Sequence, residues 1–251
     1  YMNTYGFHGL HGRALPIAEG IKMARPDLHV FVNTGDGDCC SIGTAHWIHA
    51  IRYNMNMTVL MHDNHLYGLT KKQASPTSPQ GLQSNTTPRG TFLEPLNPLS
   101  VTLGITNASF VAQAVDWNPE SLFEIISRAY RHKGFSFVRI LQRCPEYVPT
   151  MFDHWMNHPD KTLLLTHENG MQVSPSLAAT YKNQETHDPL NLDRAREIAS
   201  MTEQVPVGIL FHDPEATRYD DIRDPDRPIS PETIRSALDS EFDKFTVWPE
   251  Q

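Results

Sequence analysis

The sequence contains no uninterrupted apolar run of the length (about 18 residues) that crosses a bilayer, so no transmembrane helix is expected. No signal peptide is expected either. Cysteine is scarce: there are three, and Cys39 and Cys40 are adjacent. That excludes a disulfide framework and makes a reducing cytoplasm the expected location. A basic excess is also missing. Lys and Arg total 21 against 29 Asp and Glu, for a net charge of −8, which argues against a nucleic-acid-binding surface. No internal repeat is evident. What is present is 251 residues at 39% hydrophobic content, enough for one large or two small domains with a real core.

The patterning alternates helix and strand. "ALPIAEGIKMA" (14–24) reads as a helix with Leu15, Ile17, Ala18 and Ile21 on one face, ended by Pro26. "HVFVN" (29–33) reads as a buried strand, "SIGTAHWIHAIRYN" (41–54) as a helix and "MTVLMH" (57–62) as a second buried strand. Strand, helix, strand in this order is a βαβ crossover, so the two strands should be parallel. Residues 73–98 hold five prolines and many Ser, Thr, Asn and Gln. Such a long irregular segment is either functional or mobile, or else a disordered insertion. Beyond it, "PLSVTLGIT" reads as a short helix and 108–115 as a strand. Asn118 and Pro119 then cap a helix striped by Leu122, Ile126 and Ala129/Tyr130 and ended by Gly134, and 135–144 is the next strand.

The expected fold is therefore α/β, a doubly wound, mostly parallel sheet. After about residue 150 the text becomes irregular and His-rich. It then gives a helix at 193–202, a strand at 205–211, a charged surface run and a final helix opened by Ser230-Pro231-Glu232. The expected organisation is an α/β domain over 1–150 with a C-terminal extension, 151–251, packed on the same body or on a partner.

Two clusters stand out: Gly35-Asp36-Gly37-Asp38 after the first strand and Asp63-Asn64-His65, followed by Tyr67-Gly68, after the second. Ligands of open α/β sheets bind outside the carboxyl ends of the strands, so both clusters can face one crevice. Asp36 offers a carboxylate and Asn64 an amide oxygen, and Mg²⁺ is usually held by a few such oxygens together with phosphate. A helix N-terminus near Ser41 would favour anionic phosphate there. A dinucleotide fingerprint fails because Cys40 takes the third glycine position, and no P-loop or EF-hand pattern is present. Two turns that bind nothing would use the same residue types; spacing alone leaves that reading open. The pairs His8/His11, His46/His49 and His62/His65 have no third partner to complete a zinc set. All but His11 read as surface or packing residues.

The finer text is more specific. Gly35-Asp36-Gly37 followed by Asn64 resembles the thiamine diphosphate motif. "HGLHGRALPIAEGIK", "GDGDCCSIGTAHWIHAIRYN" and "DNHLYGLTKKQASPTSP" together resemble the β subunit of 2-oxoacid:ferredoxin oxidoreductases, and the tail from "HPDKT" to "VPVGILFHDP" is similar to the 2-oxoglutarate-type members. The resemblance covers nearly the whole chain.

It implies a thiamine diphosphate-binding fold. Mg²⁺ would be held by Asp36, Asn64 and the backbone carbonyl of Leu66, and the diphosphate would be contacted by Gly37, Asp38, Gly68 and Leu69. His11 would bind the cofactor, and Lys71 would meet a substrate carboxylate, although Lys71 could equally be a surface lysine of the loop. Cys144 would be one of four ligands of a 4Fe–4S cluster. The other three lie upstream in the family, in a segment this sequence does not contain, and the chain starts at Tyr1 without Met; the expectation is that residues preceding Tyr1 supply them. Taken alone, Cys144 would read as a buried thiol at a strand end.

The implied activity is CoA-linked oxidative decarboxylation of a 2-oxoacid such as 2-oxoglutarate to succinyl-CoA, with electrons passed to ferredoxin, or the reverse carboxylation. An α subunit is the implied partner, in a dimer of αβ units. The alternative is a non-redox thiamine diphosphate decarboxylase or carboligase subunit.

Overall fold

The computed structural model describes residues 3–167, 174–223 and 230–245. Its strands are β1 (Phe31–Gly35), β2 (Met57–Asp63), β3 (Leu66–Tyr67), β4 (Gln73–Ala74), β5 (Phe110–Val115), β6 (Phe135–Leu141), β7 (Thr162–Thr166), β8 (Gln184–Thr186) and β9 (Val205–His212). Its α-helices are α1 (Ala14–Ala24), α2 (Thr44–Tyr53), α3 (Pro98–Gly104), α4 (Pro119–Arg131), α5 (Asp153–Met156), α6 (Pro175–Thr180), α7 (Leu192–Ala199), α8 (Tyr219–Ile222) and α9 (Pro231–Asp243).

Seven strands form one sheet in the order β1-β2-β6-β5-β9-β7-β8. β1, β2, β6 and β5 run parallel. β9 joins β5 antiparallel and starts a second parallel block with β7 and β8. Strands from both sides of residue 150 thus share one sheet. Alternate side chains sort onto its two faces. On one, Val59, Met61, Phe135 and Phe137 pack with Leu15 of α1, Trp47 and Ile51 of α2, Leu103 of α3 and Ile198 of α7. On the other, Leu60, Ala112, Val138 and Ile140 pack with Ile125 and Ala129 of α4 and with Phe152.

Several expectations shift. β1 starts two residues later than read and is an edge strand rather than a buried one: its residues alternate exposed and buried, with Phe31 41% exposed. The segment 41–54 is not one helix. Asp38–Ile42 forms a π-helical turn in which Gly43 N–H bonds to the Asp38 carbonyl at 3.0 Å, and α2 begins only at Thr44. The stripe of α4 is rotated by one residue: Ser121, Ile125 and Ala129 are buried, while Leu122 and Ile126 are only partly so. Its cap is as the sequence predicts, with Asn118 accepting from Ser121 N–H. Ser230 likewise caps α9. The charged run contains α8, and its residues from 224 lie outside the described ones, as do 168–173 of the tail.

Candidate functional site

β1 and β2 lie side by side in parallel, with Gly35 opposite His62, so both glycine/acid clusters emerge from the same edge of the sheet. The two touch. Tyr67 lies flat against Gly37, where a Cβ would stand 2.3 Å from the ring, and its hydroxyl donates to the Gly37 carbonyl at 2.9 Å. A side chain at 37 would therefore force the Tyr67 ring to shift. Gly68 is also close: a Cβ there would lie 3.8 Å from Asn64 Nδ2.

Asp36 is 2% exposed. Its Oδ2 accepts from Ser75 Oγ at 2.5 Å and Thr77 Oγ1 at 2.8 Å. Burial, reinforced by neighbouring Asp63, pushes its carboxyl up to about 7. Asp63 is fully buried and bound by Arg139 through Nε at 2.7 Å and Nη2 at 2.6 Å. Burial raises its carboxyl, but Arg139, His65 and the Thr77 hydroxyl outweigh that and hold it below the ordinary value. Thr77 Oγ1 lies 2.8 Å from both Asp36 Oδ2 and Asp63 Oδ1. A hydroxyl has one proton, so it can donate to only one of them. Arg139 pairs with Asp63 alone, so Asp36 has hydroxyl partners but no cation of its own among the described residues.

Asp38 is occupied differently. Its Oδ1 accepts from Gly12 N–H at 2.5 Å and contacts His11 Nδ1 at 3.1 Å, while Oδ2 accepts from Thr34 Oγ1 at 2.7 Å. The carboxylate thus straps the "LHGR" turn onto the π-helical turn, where a Cβ on Gly12 would collide with Ile42 at 2.7 Å. That leaves the Asp38 backbone N–H, not its side chain, as the group suited to an anion. The His11 side chain is 71% exposed and Leu69 is 88% exposed at the mouth of the crevice. Lys71 and Lys72 follow at φ +68° and +63°, in left-handed backbone uncommon for such residues. Lys71 is exposed.

Asn64 Oδ1 accepts from Leu66 N–H at 3.2 Å, which leaves it a second lone pair. Cys144 is half-buried beyond β6 in an isolated bridge with Val148. Cys39 and Cys40 are buried in the π-helical turn. There the hydrogen bond with Cys40, with burial added, pushes the Cys39 thiol up. Among the described residues no three His, Cys, Asp or Glu side chains cluster to hold a metal.

Sequence reasoning placed Asp63 in the second cluster without giving it a role, and missed Arg139, Ser75 and Thr77. As a carboxylate at the end of a buried strand, Asp63 could also have been given a part in the site. The hydroxyls carry no local signal, because residues 41 positions apart meet only through the fold.

The donor chemistry suits a hard divalent cation. The Asp36 carboxylate, the Asn64 amide oxygen and the Leu66 carbonyl are all oxygens, and Mg²⁺ usually takes few protein groups and completes its shell with phosphate and water. A cation against Asp36 would also relieve the raised carboxyl. The residues present fit Mg²⁺ with a diphosphate.

Residues 1–140 match the family described as thiamine pyrophosphate enzyme, C-terminal TPP binding domain. The fold and site thus define a thiamine pyrophosphate-binding domain. Over 153 residues the chain is 49% identical to the 2-oxoglutarate oxidoreductase subunit KorB of Mycobacterium tuberculosis, covering 61% of this chain and 41% of that protein. Over 215 residues it is 35% identical to the 2-oxoacid:ferredoxin oxidoreductase subunit beta of Saccharolobus solfataricus, covering 86% of this chain and 68% of that one. A solved 2-oxoglutarate:ferredoxin oxidoreductase from Magnetococcus marinus, with 2-oxoglutarate, coenzyme A and succinyl-CoA bound, superposes with a TM-score of 0.75 at 35% identity over 94% of this chain and 72% of that one. This chain belongs to the β-subunit family of the 2-oxoacid:ferredoxin oxidoreductases. It spans less than half the length of the mycobacterial relative.

Proposed function

We propose that this chain is the diphosphate- and Mg²⁺-binding half of a thiamine diphosphate-dependent 2-oxoacid:ferredoxin oxidoreductase that acts on 2-oxoglutarate. The observation that carries this reading is Asp36, a carboxylate 2% exposed at the carboxyl end of β1, with a second carboxylate, Asp63, across the Thr77 hydroxyl. Such a pair is stable with a cation and costly without one.

Asp36, Asn64 and the Leu66 carbonyl hold Mg²⁺ in this reading. Gly37, Asp38, Gly68 and Leu69 would contact the diphosphate, and His11 would bind the cofactor. When bound, thiamine diphosphate supplies the carbanion chemistry that releases carbon dioxide from a 2-oxoacid; the protein contributes position and electrostatics. The Asp38 strap holds the His11 turn in place. Lys71, exposed beyond Leu69, pairs with the distal carboxylate of the substrate in this reading. Cys144 contributes one thiolate to a 4Fe–4S cluster, whose other three ligands come from outside the described residues, since such a cluster takes four. An α subunit completes the active centre in a dimer of αβ units in the cytoplasm, coenzyme A accepts the acyl group and ferredoxin the electrons. The two relatives named for 2-oxoglutarate support this substrate.

Calorimetry on the purified complex tests the site. Asp36→Ala should abolish Mg²⁺-dependent thiamine diphosphate binding, and unchanged binding would refute the assignment. For the substrate, Lys71→Ala should lower kcat/KM for 2-oxoglutarate by about 10- to 100-fold, the loss of one charge-assisted bond, while sparing pyruvate. An equal loss for both acids would remove Lys71 from substrate reading.

A further inference from the structure

Ser75, Thr77 and Ser78 lie outside the ligand set, in the segment that patterning leaves irregular, yet they are 9%, 0% and 3% exposed. They reach both ligand-bearing segments at once. Ser75 and Thr77 donate to Asp36 Oδ2. With two hydroxyls on one oxygen, the carboxylate cannot swing without losing a bond. Ser78 Oγ donates to the His65 carbonyl at 2.5 Å, between Asn64 and Leu66. The His65 ring returns the contact, with Nδ1 2.5 Å from the Thr77 carbonyl. Ser78 Oγ also accepts from Ser75 N–H at 2.8 Å, which closes the turn on itself. Finally, β4 pairs with β3, with Ala74 opposite Leu66.

We propose that the Ser75–Ser78 turn is a positioning clamp: it fixes Asp36 relative to the Asn64–Leu66 segment and so sets the size of the cation the site accepts. The inference rests on the Mg²⁺ reading above. Mg²⁺ demands near-ideal octahedral oxygens at roughly 2.0–2.1 Å, whereas Ca²⁺ tolerates looser shells at about 2.3–2.6 Å. A clamp that holds two oxygen-bearing segments at fixed separation favours the smaller, stricter ion. Loosening it should cost Mg²⁺ more than Ca²⁺.

The test titrates the chelator-stripped complex of this chain and its partner subunit with Mg²⁺ or with Ca²⁺, and follows thiamine diphosphate binding. In Thr77→Val the Mg²⁺ concentration at half-saturation should rise at least tenfold, and that of Ca²⁺ less than threefold. Thr77→Ser, which restores the hydroxyl, should stay within twofold of wild type for both. Ser78→Ala, which leaves Asp36 untouched, should shift the two ions in the same unequal way and carries the test if Thr77→Val does not fold. The proposal is overturned if the variants keep the wild-type Mg²⁺/Ca²⁺ ratio, whether both constants stay or rise together. It is overturned equally if wild type does not discriminate. Asp36→Ala separates the layers: Mg²⁺-dependent binding that survives it refutes the site itself. Binding lost there but unaltered in the turn variants refutes only the clamp.

Discussion

At the amino ends of β5 and β6, Asn54, Ser109 and His132 form a buried network of neutral groups; at the carboxyl ends of β1 and β2, Asp36, Asp63, Thr77 and Arg139 form a buried network of charged ones. In the first, Asn54 Oδ1 accepts from Ser109 Oγ at 2.6 Å and Phe135 N–H at 2.7 Å, and its amide donates to the Ala216 and Thr217 carbonyls at 3.3 and 3.2 Å. With the Ser109 proton on Asn54, the His132 Nε2–H must be the donor in the 2.9 Å contact with Ser109. Every partner comes from the chain itself. In the second, Thr77 Oγ1 lies between the two acids, Ser75 Oγ donates to Asp36, and the one guanidinium pairs with Asp63. A closed neutral network is architecture. The charged one carries the Mg²⁺ proposal.

The comparison can be broken most sharply at Arg139. Arg139→Met strands the fully buried Asp63 carboxylate and should cost about 3–5 kcal/mol in denaturant unfolding. Adding Asp63→Asn should restore part of it, and a loss under 1 kcal/mol would mean that the ion pair does not hold the charged end together. Next comes Asp36→Asn in the cation-free protein. Its carboxyl is raised from 3.8 to about 7 by burial and Asp63. Between those values the folded state binds a proton that the unfolded state does not, so its contribution to stability falls as pH rises through about 7. The variant should therefore melt higher than wild type at pH 8, by roughly 4 °C or more, with the gap gone below pH 3.8.

The neutral end should show the opposite slope. Burial, helped by His212 and Arg218, lowers His132 from 6.5 to about 3. Unfolded His132 takes a proton below 6.5 and folded His132 does not, so stability should fall as pH drops through that window, by about 1.4 kcal/mol per unit at most. His132→Gln should flatten that slope between pH 6.5 and 3; an unchanged slope would place the acid sensitivity elsewhere. This effect is the hardest to isolate, because His132 is one of several groups titrating there.

The sequence made the alternation of strand and helix legible because β2 and β6 are rich in β-formers, with only a few polar residues, and Asn118-Pro119 is an unambiguous helix start. β1 was misplaced because burial on one face only, at a sheet edge, leaves a weaker signal than a central strand. The π-helical turn was invisible: its cause is the close approach of Gly43 to the Asp38 carbonyl and of Gly12 to Ile42, and neither is encoded in periodicity. For the site, Asp36 and Asn64 were legible because each directly follows a strand. Ser75 and Thr77 were not, since a hydroxyl in a Pro/Ser/Thr-rich stretch looks the same whether it faces solvent or caps a buried acid. The pairing of Gly37 with Tyr67 needed a contact across 30 residues.

The segment after the clamp also has a modular consequence. From Pro79 to Phe92 it closes on itself: Gly81 N–H bonds to the Thr91 carbonyl at 2.8 Å, Thr91 N–H to the Leu82 carbonyl at 3.0 Å, and Gln80 Nε2 to the Phe92 carbonyl at 3.1 Å. Its tip reaches back through Asn85, whose amide donates to the Lys71 carbonyl at 2.8 Å. The excursion is thus a cassette, hinged beyond the buried hydroxyls and touching the lysine pair from outside. Sequence exchanged at its tip could retune the neighbourhood of Lys71 while the metal-facing anchors stay as they are.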